Sequence, residues 1–156
     1  MNKVLAEKKD VKGLDLIRFA LFDYFQIQPV IKGLDRIEDK TKKYIFVGNH
    51  PMGGLDGLLF ILTVSEQVGT AKAIINDLLL YIENLRPLFV GVNLYGDKSR
   101  KSIQDVDNLF KSDFQVVMFP AGLVSRRTKG IIRDLDWKGT FVKKAVHYQR
   151  DVVPVH

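Results

Sequence analysis

Two short apolar runs constrain the fold more than anything else in the chain. Tyr44-Ile45-Phe46-Val47 breaks at Gly48, and Gln115-Val116-Val117-Met118-Phe119 breaks at Pro120. Continuous aromatic and β-branched runs of this length, without polar alternation, read as strands buried on both faces, the kind that parallel sheets use. Parallel neighbours need crossover segments, and the sequence between and around the two runs supplies helical stripes. Leu14 to Phe25 reads as an N-terminal amphipathic helix, with Leu14, Ile17, Leu21 and Phe25 on one stripe. It packs on a core or rests on a bilayer surface, the core being favoured. Helices are also predicted over Gly57–Val68, Asp77–Leu85, Ser102–Lys111 and about Lys138–Gln149. Further strands are predicted over Val30–Leu34, Ala71–Ile75, Phe89–Leu94 and Val152–Val155, with Ala121 to Asp136 irregular. Alternating strands and helices predict an α/β domain with a largely parallel or mixed central sheet flanked by helices.

The chain is 156 residues long and 46% apolar, enough for a single domain, residues 1–156, with its own core. It ends directly on an apparent strand, so the expectation is a catalytic piece of a longer protein. The absence of cysteine removes disulfides, thiolate catalysis and thiolate metal sites. Uncharged apolar stretches such as Gly57 to Ser65 fall far short of the ~20 residues of a spanning helix. The start lacks the apolar region of a secretory signal. The net charge of +6 is concentrated rather than spread. Residues 126 to 150 hold eight basic and two acidic side chains, while residues 1 to 125 are close to neutral.

His50, His147 and His156 have no partner at metal-ligand spacing, so no metal is expected. No G-x-S-x-G elbow and no phosphate-binding glycine loop is present. What remains is Asn49-His50-Pro51-Met52-Gly53-Gly54-Leu55-Asp56 after the first buried strand. Pro51 keeps His50 out of the α region, at the carboxyl end of the strand, where α/β sheets place their sites. Asp56, near the start of the next helix, either folds back to orient the imidazole as a general base or serves only as a helix cap. The second candidate is Phe119-Pro120-Ala121-Gly122-Leu123-Val124-Ser125-Arg126-Arg127. Its arginines suit a phosphate or carboxylate, or form a solvated basic loop.

Taken in order, these segments resemble the glycerolipid acyltransferase family of the lysophosphatidic acid type. Its Asn-His…Asp motif is similar to Asn49 to Asp56, its Phe-Pro-Glu-Gly-Thr-Arg-Ser motif to Phe119 to Arg126, and its Val-Pro-Val strand to Val153-Pro154-Val155. Five residues separate His50 from Asp56, one more than the family usually has, and Gly53-Gly54 is expected to absorb the extra one. Ala121 stands where the family has glutamate, and the family's arginine after an aromatic strand has no clear counterpart, Lys98 and Arg100 being loose substitutes. The pattern is closer to the hemolysin-like branch with bacterial aminolipid O-acyltransferases.

The resemblance implies acyl transfer from acyl carrier protein or coenzyme A thioester to a lyso-lipid hydroxyl, with no other cofactor. His50 would be the base and Asp56 its orienter. Asn49, Pro51, Gly53, Gly54, Phe119, Pro120, Ala121, Gly122, Ser125, Arg126 and Arg127 would line the substrates. The implied place is the cytoplasmic face of the inner membrane, as a peripheral protein on an anionic surface. The competing reading is a non-enzymatic basic module that grips an anionic membrane or nucleic acid through residues 126 to 150. No recognised nucleic-acid motif accompanies those residues.

Overall fold

The computed structural model describes residues 8–92, 100–128 and 130–156. Five strands form one parallel sheet: β1 (Tyr44–Gly48), β2 (Ala71–Asn76), β3 (Phe89–Val92), β4 (Gln115–Met118) and, last in the chain, a strand over Asp151–Val155. Between β4 and that last strand lies a separate antiparallel hairpin, β5 (Arg126–Thr128) and β6 (Ile131–Arg133), so the last strand is β7. The sheet order is β3-β2-β4-β1-β7. The α-helices are α1 (Gly13–Arg18), α2 (Gly54–Gln67), α3 (Arg100–Lys111) and α4 (Thr140–Tyr148).

β1 alternates between two cores. Tyr44 and Phe46 join Leu16, Ile17, Leu21, Ile61 and Leu62 on the face covered by α1 and α2. Ile45 and Val47 join Leu109, Phe110 and Ala145 on the face covered by α3 and α4. Burial on both sides is what the unbroken apolar run required. The connection from β1 runs through α2 towards β2, on one side. The connection from β4 runs through the hairpin and α4 towards β7, on the other. Adjacent strands whose connections diverge in this way leave a crevice at their carboxyl ends.

Several elements differ from expectation. Val30–Leu34 is no strand: Val30 and Ile31 are exposed, Gly33 is left-handed at φ 82°, and Leu34–Arg36 is a 3-10 turn. The helix predicted over Asp77–Leu85 is two 3-10 segments, Asp77–Tyr81 and Glu83–Leu88, parted at Ile82, whose ψ of 85° is not helical. The stripe over Leu14–Phe25 is α-helical only through Arg18 and winds as a π-helix over Phe19–Tyr24. α2 starts at Gly54, three residues before the predicted start. α4 runs from Thr140 to Tyr148 because Gln149, at φ 51°, closes it in the left-handed region. The stretch Ala121 to Asp136, expected to be irregular, contains the hairpin. Of the strand predicted over Phe89–Leu94, residues 93 and 94 lie outside the described residues, as does Lys98.

Candidate active site

Gly48 ends β1 where a side chain would be crowded. A Cβ there would lie 3.0 Å from Cε1 of Phe60 and 3.3 Å from the carbonyl oxygen of Val155. The chain then leaves the sheet through Asn49 to Gly53. Gly53 takes φ 72° and ψ −119°, a conformation that a side chain strains, and α2 begins at the next residue. This turn carries Asp56 back over His50, so the additional residue between them is taken up where two glycines stand.

Nδ1 of His50 lies 2.9 Å from Oδ1 of Asp56, with the two side chains 18% and 16% exposed. The contact is short in distance but outside hydrogen-bond alignment. Neither buried atom has a hydrogen-bond partner among the described residues, so each faces the other alone. The other carboxylate oxygen accepts the Met52 N–H at 2.8 Å, which ties Asp56 to the turn rather than leaving it as a simple cap. The imidazole stacks on Phe119, centroids 3.9 Å apart and planes at 21°, and Phe119 in turn meets Phe60 edge-on. Nδ1 thus faces a carboxylate, while Nε2 makes no hydrogen bond among the described residues. An imidazole held in this way presents Nε2 as a proton acceptor.

The loop after β4 is stitched to the loop after β1. Ser125 N–H donates to the His50 carbonyl at 2.8 Å. The Asp134 carboxylate gathers three donors: the His50 N–H at 3.2 Å, the Ser125 hydroxyl at 2.5 Å and the Trp137 indole N–H at 3.0 Å. Burial pushes the Asp134 carboxyl up, but the bonds from Ser125, Trp137 and His50 outweigh it and hold the group below its ordinary value. Asp134 has no motif signal in the sequence; it is one of two carboxylates in a basic stretch. Lys138 is a second residue that pattern reading misses. Its Nζ sits over Gly122, 3.7 Å from where a Cβ would stand, and its N–H donates to the Pro120 carbonyl at 3.2 Å.

The structure therefore brings His50, Asp56, Phe119 and Ser125 together at one sheet edge, with Asn49, Pro51, Gly53 and Gly54 in the turn that joins them. Pro120 and Ala121 are buried beneath the second loop, and Gly122 turns it at φ 75°. Ser125 uses its hydroxyl on Asp134. Arg126 and Arg127 are exposed in β5, outside the stacked rings, and form no ion pair among the described residues. Arg150 does not belong to a basic surface: it is 4% exposed and bonded to backbone carbonyls. A cleft of about 470 Å³ between β3 and α3, lined by Lys72, Arg86 and Asn108 among others, lies away from His50 and holds no such constellation. Among the described residues no cluster of three or more His, Cys, Asp or Glu is placed to hold a metal ion. No helix among them is long and apolar enough to cross a membrane.

The fold and site define an α/β protein with a parallel sheet and a histidine and a carboxylate in contact just beyond the carboxyl end of β1. The chain belongs to the acyltransferase family, whose model, described as Acyltransferase, matches residues 2–156. It is 41% identical over 157 aligned positions to the lyso-glycine lipid O-acyltransferase of Bacteroides thetaiotaomicron, and 39% identical over 157 to the protein of the same name from Phocaeicola vulgatus. Both alignments take in all of this chain but 57% and 56% of the relatives, so the chain spans little more than half their length.

Proposed function

We propose that this chain carries the catalytic part of an O-acyltransferase. It moves a fatty acyl group from an acyl carrier protein or coenzyme A thioester to the hydroxyl of a lyso-lipid with an amino-acid head, of which a lyso-glycine lipid is the nearest model. The observation that carries this reading is the His50–Asp56 contact of 2.9 Å at the sheet's carboxyl edge, with Nε2 making no hydrogen bond among the described residues. Nε2 takes the proton from the acceptor hydroxyl as its oxygen attacks the thioester carbonyl. The tetrahedral species collapses with loss of the thiolate, which takes up the proton from the imidazolium, so the histidine is restored and no acyl-enzyme forms. Asp56 fixes the tautomer and stabilises the imidazolium formed on the way. Phe119 holds the ring plane by stacking. Lys138 over the Gly122 turn and the arginines of β5 supply positive charge for an anionic acceptor head. The reaction needs no cofactor besides the thioester, and its lipid acceptor puts the enzyme on the cytoplasmic face of the inner membrane.

His50→Ala in the full-length protein is expected to lower acyl transfer about 10²- to 10⁴-fold, the usual range for general-base catalysis, while donor binding persists. The measurement is transfer of labelled acyl groups from each of the two thioesters to lyso-glycine lipid. Near-normal turnover by the variant would remove His50 from the mechanism.

A further inference from the structure

The hairpin β5–β6 is built unlike the rest of the molecule. Arg126, Arg127, Ile131, Ile132 and Arg133 are all exposed, with Ile131 and Ile132 at 66% and 68%. In the pairing, Arg126 faces Arg133 and Arg127 faces Ile132, while Thr128 pairs with Ile131. Directly opposed residues share a face and successive ones alternate, so Ile131 and Ile132 stand on opposite faces of the ribbon. Neither face is an inward apolar side. The polarity runs lengthwise instead: isoleucines beside the Gly130 turn, Arg126 and Arg133 at the base. An isolated two-stranded hairpin is marginal in water, and like charges set opposite each other weaken it further. Both costs fall when the isoleucines enter the interfacial layer of a bilayer and anionic headgroups lie against the arginines, and Lys129, between the two strands in the sequence, adds to that basic charge.

We propose that the β5–β6 hairpin is a membrane wedge, with Ile131 and Ile132 entering an anionic bilayer and Arg126, Arg127 and Arg133 held at its headgroups. An anionic surface is the occupant that the charge selects: no carboxylate lies between Arg126 and Arg133, and the next one, Asp134, is turned inward onto His50 and Ser125. Beyond the base arginines Val124 and Leu135 flank the hairpin and are exposed, as are Met52 and Trp137 near the candidate site. Asp134 follows β6 directly and bonds the His50 backbone, so a seated hairpin presents the His50 edge to the bilayer surface. The proposal builds on the lipid acyl-transfer reading, which supplies the reason for a membrane at this edge: an acceptor reaches His50 without leaving the lipid phase.

The test is vesicle flotation of the full-length protein on phosphatidylcholine alone and with ~30 mol % phosphatidylglycerol, an anionic surface of the kind that attracts basic segments. R126Q/R133Q is expected to weaken binding to the anionic vesicles about fivefold for each arginine removed, the equivalent of about 1 kcal/mol apiece, with little change on phosphatidylcholine. I131S/I132S is expected to weaken binding to both vesicle types at least about tenfold, since it removes apolar area from the interface. It should keep wild-type turnover of a short-chain, water-soluble hydroxy acceptor, which also shows that it is folded. Flotation of I131S/I132S equal to wild type overturns the wedge, whether the remainder of the protein, a protein partner or nothing covers the tip. Hairpin-dependent flotation together with absence of acyl transfer by the wild-type enzyme leaves the wedge standing and sinks the activity reading instead.

Discussion

Asp134 lies 84 positions from His50 in the chain and fixes the backbone from which the imidazole projects. Asp134→Ala leaves the Ser125 hydroxyl, the Trp137 indole and the His50 N–H without their acceptor, an expected loss of about 1–3 kcal/mol in stability. If the carboxylate positions the site, kcat for acyl transfer falls well beyond what the drop in folded fraction explains, with KM for the thioester little changed. Asp134→Asn keeps one acceptor oxygen for His50 and Ser125 and turns its amide towards the indole, so it should recover most of kcat but not all of the stability. Wild-type kcat in Asp134→Ala, measured where the variant is fully folded, would reduce the residue to scaffolding. His50 and Asp56 could be read from the sequence because they are close in the chain and a proline and two glycines mark the turn between them. Asp134 could not, since its partners are fixed only once β4 lies beside β1. Ala121 is a third case: the sequence flags the missing glutamate, and the fold adds that this position is buried, at 3% exposure.

Arg150 ties three elements together at the opposite edge of the sheet. Its guanidinium donates to the carbonyls of Phe110 at 3.0 Å, Ser112 at 2.6 Å and Phe114 at 2.8 Å, the unpaired oxygens where α3 ends and turns into β4. Burial lowers its affinity for the proton and nearby Asp113 raises it, yet an arginine keeps its charge throughout the working range. Arg150→Met would leave those carbonyls buried and unsatisfied, an expected cost of about 3–5 kcal/mol, seen as a lower denaturant midpoint at unchanged slope. Arg150→Lys should fall between the two, because an ammonium lacks the fork that reaches all three oxygens. A midpoint for Arg150→Met within error of wild type would mean that water reaches these carbonyls. Pattern reading placed Arg150 in the basic run, since charge spacing says nothing about which cation folds inward. The same limit explains the hairpin and the false strand at Val30–Leu34. Strands buried on both faces announce themselves by unbroken apolar runs, whereas a short exposed ribbon and an exposed apolar loop carry the same local composition and differ only in what they pair with.

Across the whole molecule the perturbed charges set a pH window for stability. Asp39, Asp107, Asp113 and Asp134 are all held below their ordinary values, Asp39 chiefly by Thr41, Asp107 by Lys111 and then Tyr148, Asp113 by Lys43. A carboxylate depressed on folding contributes stability above its unfolded value and loses it as pH falls through the folded one. Acidification therefore destabilises the chain from about pH 4 downward, and the excess positive charge of +6 at neutral pH reinforces that loss by self-repulsion. At the alkaline end the sign reverses. Lys42 is raised by Asp151, and Tyr148 is pushed up to about 12 by its hydrogen bond to Asp107, so their contributions are present at neutral pH and disappear as pH rises through the folded values. The expected profile is a plateau from about pH 5 to 10 with a fall on both sides. Because most of these groups are exposed, the acid limb should be shallow and should flatten as salt is added. Melting temperature measured between about pH 3 and about pH 11 at fixed ionic strength tests this, with Asp107→Asn as the control that removes the carboxylate paired with Lys111, Lys144 and Tyr148. That variant should have a lower plateau and a smaller acid drop than wild type. A melting temperature that climbs on acidification would mean that these pairs add nothing to the folded state and that carboxylate repulsion dominates in spite of the basic sequence.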